Sequence, residues 1–267
     1  MPKILSYANR KGGVGKSSLS IHTVFFLALK EKKRVLLIDL DSQGNSSSRI
    51  APREESESGD IVPMYYGTSS AELFKDELPE IEVMKCPYGI DLIHSPKNDA
   101  EFDDIEALPF ECILNPKKHL KKIVDDYDYI VVDCPPAYGR KMLAALSIST
   151  HVACPVKLSG FSIDGLEGLM EVILGVQNDT NPDLELLGII VNEMASRSVQ
   201  HDRSYKWLSE TLPGLLFENK IMNRPPIDTA MSDGVPIWEQ RYGHVAAKEV
   251  EDLMRELLNR MGVENGN

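Results

Sequence analysis

Residues Arg10-Lys11-Gly12-Gly13-Val14-Gly15-Lys16-Ser17 follow an apolar run, Ile4, Leu5, Tyr7 and Ala8, that predicts a β-strand. Glycines at 12, 13 and 15 let backbone N–H groups turn toward one point. The helix predicted from Lys16 adds the positive end of its dipole. Such a loop holds an anion, and its last residues say which one. Lys16 is placed to reach the β- and γ-phosphates of a nucleotide, and the Ser17 hydroxyl to bind Mg²⁺. The competing reading is a glycine-rich turn with two solvated lysines. Gly12, Gly13, Val14, Gly15, Lys16, Ser17 and Ser18 are therefore the expected phosphate-binding residues. The general pattern G-x-x-x-x-G-K-S/T also asks for glycine five residues before Gly15, where Arg10 stands, and a second lysine, Lys11, occupies the loop's entrance.

A phosphate loop hydrolyses nothing without acids that converge on the metal and the attacking water. Two candidates end apolar runs: Asp39, with Asp41 two residues on, after Leu36-Leu37-Ile38, and Asp133 after Ile130-Val131-Val132. The carboxyl ends of buried parallel strands form the edge where open α/β sheets bind ligands. A carboxylate there is costly unless a cation or hydrogen bonds compensate it. One such aspartate alone ordinarily caps the next turn; two, downstream of a phosphate loop, point to a metal site. Asn192 ends the run Gly188-Ile189-Ile190-Val191. Its amide can both donate and accept, which suits the adenine edge, although Asn after a strand also forms turns.

These residues need a frame of alternating strands and helices. The runs at 35–38, 129–132, 152–153 and 187–191 read as strands buried on both faces. Helical spacing is expected over 16–31 and near 112–126, 140–148, 160–177, 199–211 and 244–261. The fold class is α/β, a P-loop NTPase fold with a mainly parallel twisted sheet flanked by helices, in a single domain over 1–267. Residues 43–63, with serines, acids and Pro52, are expected to form a mobile surface segment, and the tail from about 262 to 267 to be disordered.

The chain has 267 residues and a net charge of −12, from 29 basic and 41 acidic residues, so as a whole it is no electrostatic nucleic-acid binder. DNA contact would need a local patch, for which Arg197, Arg203, Lys206, Lys220 and Arg224 are candidates; ordinary solvated side chains are as good a reading of each. Four scattered cysteines without a C-x-x-C pair argue against a zinc site or a disulfide framework. No apolar run approaches the roughly 20 residues that span a bilayer, and no secretion signal is evident, so a cytoplasmic protein is expected.

The motifs resemble those of one family. Residues 11–17 fit the deviant Walker A motif, K-G-G-x-G-K-S/T, of the ParA/MinD group of ATPases. Asp39–Asn45 resembles the Walker A′ segment D-x-D-P-Q-G, with Ser42 in place of proline. Asp133-Cys134-Pro135-Pro136 is similar to the Walker B motif D-x-P-P, and 188–192 and 221–237 match further family segments. The resemblance covers nearly the whole chain except 46–110.

It implies a ParA-type partition ATPase that uses ATP and Mg²⁺ and is nucleoid-associated, of the short type without an N-terminal helix-turn-helix, since the loop begins about ten residues in. Asp41 would position or polarise the attacking water. Asp133 would hold Mg²⁺ through water, Asp39 would support it, and Asn192 would read adenine. Lys11 would reach across a homodimer to the partner subunit's phosphates, so that dimerisation depends on ATP. The ATP dimer would bind DNA without sequence preference, and a ParB-like centromere-binding partner would stimulate an otherwise slow hydrolysis. Alternatives are a MinD-like membrane-cycling ATPase and a positioner of a protein cargo. Against stable membrane association, the last helix carries Glu249, Glu251, Asp252 and Glu256 on its polar face, which anionic lipid would repel. Nitrogenase iron protein and cluster-assembly ATPases share the loop, but no cysteine context here suits a cluster.

Overall fold

Residues of each central strand alternate between two apolar layers. Ile4, Leu36, Ile38, Ile130 and Val132 join one buried cluster, and Leu5, Tyr7, Val35, Leu37, Tyr129 and Val131 the other. Side chains alternate faces along a strand, so unbroken apolar runs are what a sheet covered on both sides requires. The computed structural model describes residues 1–95, 100–159 and 163–263.

In chain order the elements are β1 (Lys3–Tyr7), α1 (Lys16–Phe25), β2 (Val35–Asp39), α2 (Asn45–Ile50), β3 (Arg53–Glu55), β4 (Ile61–Pro63), β5 (Met84–Lys85), β6 (Ile90–Ile93), α3 (Ala100–Asp103) and α4 (Asn115–Leu120). They continue with β7 (Tyr129–Asp133), α5 (Arg140–Ile148), β8 (His151–Val156), α6 (Ile163–Asp179), β9 (Glu185–Val191), α7 (Val199–Thr211), α8 (Pro225–Asp233) and α9 (His244–Arg260). Seven strands form one sheet in the order β5-β6-β2-β7-β1-β8-β9. Every pairing is parallel except β5 with β6. The α/β expectation holds, and the carboxyl ends of β1, β2 and β7 meet at the middle of the sheet.

Several boundaries differ from the expected ones. The helix expected over 16–31 runs as α-helix to Phe25 and then widens into a π-turn over Phe26–Lys30, closed by the Glu31 N–H on the Phe26 carbonyl at 3.1 Å. The helix expected near 112–126 shrinks to α4. Pro116 sits in its first turn, and beyond Leu120 the chain bends to bring the Tyr127 hydroxyl to Asp91 at 2.7 Å. The segment 43–63 is largely regular, with α2 followed by the hairpin β3–β4, because its serines are structural donors. β5, β6 and α8 were not anticipated. Of the helix expected at 160–177, residues 160–162 lie outside the described residues, as do 264–267 of the tail; Gly262 and Val263 close α9 by hydrogen bonds to Asn259 and Leu258 carbonyls.

The last helix is held by its apolar stripe. Val250, Leu253, Met254 and Leu257 are buried against the layer that also receives α1. At the sheet's edge, β9 carries Gly188 at φ +129, and a β-carbon there would collide with the Leu215 carbonyl and lie 2.9 Å from the Arg260 guanidinium. Gly188→Ala is therefore expected to lower unfolding free energy by about 2–3 kcal/mol. Urea unfolding at neutral pH measures it; a loss below about 0.5 kcal/mol would mean that the edge of the sheet relaxes freely.

Candidate functional site

The phosphate loop leaves β1 in the centre of the sheet and ends at Gly15, the left-handed residue (φ +96) before α1. Gly13 is also left-handed, at φ +71. Such a turn points N–H groups outward and carbonyls inward, so the carbonyls need donors. Asn192, buried at the end of β9, supplies one: its Nδ2 donates to the Val14 carbonyl at 2.9 Å. A β-carbon on Gly15 would collide with that same amide, so Gly15 is required both by its φ and by the approach of Asn192. Asn9 braces the loop's entrance, accepting the Lys11 N–H at 2.8 Å and donating to the Pro155 carbonyl at 2.7 Å.

Lys16 is buried, and its Nζ donates across the loop to the Lys11 carbonyl at 3.3 Å. Burial pulls its pKa down, while Asp133, Cys134 and Asp41 push back. The loop opens on a cavity of about 510 Å³ lined by Gly12, Gly13, Gly15, Lys16, Ser17 and Ser18 on one side and by Asp41, Gln43, Asn45, Arg49, Pro136, Lys157, Glu193, Ile21 and Met231 on the others. Its size and its cationic floor suit a nucleotide.

Behind that floor lie two carboxylates. Asp39 and Asp133 are register partners at the ends of β2 and β7, both fully buried. Asp39 Oδ2 accepts the Ser47 N–H and Oγ–H, each at 2.8 Å, and its Oδ1 accepts the Asp41 N–H at 3.1 Å. Asp133 Oδ2 accepts the Ser46 hydroxyl at 2.6 Å, and the Ser17 hydroxyl faces the same carboxylate. Among the described residues, Asp133 Oδ1 is buried without a hydrogen-bond partner. Burial, and for Asp39 the neighbouring Asp133, hold both acids above the usual carboxylate range, Asp133 at about 6.

An unpartnered carboxylate oxygen beside Ser17, with a second acid adjacent, fits a small hard cation. Among the described residues no group of three or more His, Cys, Asp or Glu side chains forms a self-sufficient metal cage. That is what Mg²⁺ needs least, because it is usually held by one or two protein groups together with nucleotide phosphates and water. Asp41 is on the cavity wall, with Oδ1 accepting the Gln43 N–H at 3.0 Å.

Lys11 is exposed and does not line the cavity; its Nζ donates to the Ser159 carbonyl at 3.0 Å. The five basic candidates lie apart from the cavity. Arg197 is exposed and left-handed (φ +78), and Arg203 is exposed on α7. Lys206 pairs with Glu210 at 3.7 Å, and Lys220 Nζ sits 4.0 Å from the Tyr205 ring centroid, against the same helix. Arg224 is engaged by Glu249 through contacts of 2.6–3.0 Å. Sequence reasoning missed Ser46 and Ser47, whose surroundings read as a solvent-facing serine run. It also missed the Lys157–Glu193 ion pair at the cavity, 2.5 Å long, for which no sequence signal was present.

Comparison with known proteins shows the family to which the chain belongs. A family model described as AAA domain matches residues 2–186. The chain is 29% identical over 262 residues to the chromosome-partitioning ATPase Soj of Treponema pallidum, covering 98% of this chain and 99% of that protein. It is 30% identical over 260 residues to the chromosome partitioning protein ParA of Myxococcus xanthus, covering 97% and 88%. Among solved structures, apo McdA from Cyanothece superposes with a TM-score of 0.81 at 20% identity, over 97% of this chain and all of that one, a likeness of fold.

The buried acids give the metal-free protein a pH signature. A carboxyl raised from 3.8 to about 6 binds its proton more tightly in the folded chain. Its contribution to stability is present below about pH 4 and is lost as pH rises through about 6. In EDTA, Asp133→Asn is expected to gain on the order of 2 kcal/mol over wild type between about pH 4.5 and 7.5. Chemical unfolding across that range measures it, and a pH-independent difference would mean that Asp133 is not held in its protonated form by burial.

Proposed function

Given that the chain belongs to the AAA domain family, among ParA- and Soj-type ATPases, we propose that it is an ATP-dependent dimerising ATPase that partitions plasmid or chromosomal DNA. Its ATP dimer binds DNA without sequence preference, and a ParB-like partner releases it by stimulating hydrolysis. The observation that carries the reading is the contrast between the two loop lysines. Lys16 is buried at the floor of the cavity, whereas Lys11, five residues earlier, is exposed and lies outside its walls.

In the reaction, the loop amides and Lys16 hold the β- and γ-phosphates, and Lys16 exchanges its bond to the Lys11 carbonyl for phosphate oxygens. Ser17 and Asp133 would hold Mg²⁺, with Asp39 behind them, and the ion would supply positive charge to neutralise the phosphate oxygens. Asp41 orients the attacking water from the cavity wall. Lys11 leaves Ser159 and enters the partner subunit's cavity, where a cation stabilises the charge that develops on the transferred phosphoryl group. Asn192 gives one Nδ2 proton to Val14, and its Oδ1 and second Nδ2 proton are the groups that would pair with the adenine edge. For DNA, Arg197, Arg203, Lys206 and Lys220 around α7 are better disposed than Arg224, whose guanidinium is tied to Glu249. The membrane-cycling alternative is disfavoured because the apolar stripe of α9 is buried in the core.

Lys11→Ala is expected to abolish ATP-dependent dimerisation while the monomer still binds nucleotide. Light scattering with a non-hydrolysable ATP analogue reports it, and a mutant that dimerises like wild type would sink the trans role. Duplex DNA binding is expected only with ATP and to weaken steeply with salt, since it neutralises phosphates. Equal retention with ADP, or binding to anionic liposomes in place of DNA, would argue against partition.

A further inference from the structure

Two buried acids side by side impose a question of orientation. A carboxylate free to rotate about its last bond cannot present one oxygen in a fixed direction, and Mg²⁺ tolerates little departure from octahedral geometry. Asp133 is not free to rotate. Ser46, on the first turn of α2, is itself fully buried and donates its hydroxyl to Asp133 Oδ2 at 2.6 Å, which leaves Oδ1 as the carboxylate oxygen without a hydrogen-bond partner among the described residues.

The neighbouring residue does the same for the other acid. Ser47 donates its N–H and its hydroxyl to Asp39, and its Oγ in turn accepts the Ser95 N–H at 2.8 Å beyond the end of β6. Consecutive serines thus address consecutive strand ends, one acid each. A buried hydroxyl without an acceptor would be a cost to the fold, and here it finds a charged one.

The connection also runs back along the chain. α2 begins at Gly44 in the left-handed conformation (φ +56), whose N–H closes a turn on the Asp41 carbonyl at 2.9 Å. Asp41 and Ser46 are therefore joined by one short turn, with Asp41 on the cavity wall and Ser46 on Asp133.

We propose that Ser46 is a positioning residue for the Mg²⁺ site, fixing the rotamer of Asp133. This rests on the reading of the cavity as a nucleotide–Mg²⁺ site. Ser46 touches neither nucleotide nor metal; it acts through Asp133. Removing its hydroxyl lets Asp133 turn, so metal binding weakens while the phosphate loop, whose backbone is held by other residues, keeps its grip on nucleotide.

The test is a titration of wild type, Ser46→Ala, Ser46→Thr and Ser46→Cys with a fluorescent ADP analogue, in EDTA and across a Mg²⁺ series. Ser46→Ala is expected to raise the Mg²⁺ concentration giving half-maximal tightening by about 10- to 100-fold, the usual effect of losing an orienting partner, with ADP affinity in EDTA unchanged. Ser46→Thr restores the hydroxyl and the Mg²⁺ response, and Ser46→Cys, of similar volume and a weaker donor, falls between and serves if the alanine variant does not fold. A wild-type Mg²⁺ response in Ser46→Ala, or an equal loss of affinity with and without Mg²⁺, overturns the proposal. Wild type that binds no ADP, or shows no Mg²⁺ dependence, overturns the nucleotide–Mg²⁺ reading itself, a result distinct from either.

Discussion

Asp39 and Asp133 stand next to each other at the ends of β2 and β7 with no solvent contact. Placing two carboxyl groups together in a dry interior is among the costlier things a fold can do, because each loses hydration and each opposes ionisation of the other. Much of the local architecture answers that cost. The Asp39 oxygens receive three hydrogen bonds, α2 sends Ser46 and Ser47 into the interior, and Lys16 is buried on the cavity side with its charge favoured by Asp133. What stays unanswered is one oxygen of Asp133. A buried carboxylate oxygen left without a donor is prepared for a ligand that brings positive charge.

The loop above is prepared in a different way. Backbone N–H groups can be aimed at an anion only if the carbonyls they alternate with are satisfied elsewhere; Asn192 does this for Val14 from the end of β9, while Asn9 ties the loop's entrance to Pro155. Preorganisation of this kind means that little has to be reordered when phosphates arrive, so more of the interaction energy is available for binding. It also links the loop to β9: the close approach of Asn192 to Gly15 leaves no room for any other residue at that position. The phosphate loop is therefore a property of the sheet's carboxyl edge as a whole and not of residues 10–17 alone.

The legibility of these features in the sequence follows from how local their causes are. β1, β2, β7 and β9 were readable because a strand buried on both faces leaves an unbroken apolar run, and the acids ending two of those runs stood out against it. α5 and α7 were readable to the residue, since local helical spacing coincided with the packing they make. The region 43–63 was not, because a serine run has the same composition whether it faces water or a buried carboxylate, and only the partners at Asp39 and Asp133, one of them some ninety residues away, decide which. The same holds for Asn192: its chemistry as donor and acceptor was evident, but its donor goes to Val14, a contact set by how closely β9 passes the loop. The Lys157–Glu193 pair depends on adjacent strand ends and left no trace in local pattern at all.

The placement of Lys11 bears on why such a site would come in two halves. A second lysine inside the cavity would add to the burial cost already evident in the lowered pKa of Lys16, and would bring a permanent cation close to the metal's position. Held outside, on the Ser159 carbonyl, the same charge costs little until it is needed, because an exposed ammonium keeps its hydration. Bringing it to phosphates then requires closure of another surface over the cavity, and that closure excludes water at the same moment as it supplies the charge. A cation stored at the rim makes the strongest electrostatic contribution conditional on assembly, which is the property a nucleotide-dependent switch needs. In the proposed dimer each copy therefore completes the other, and the exposed position of Lys11 in the single chain is the physical reason that neither is complete alone.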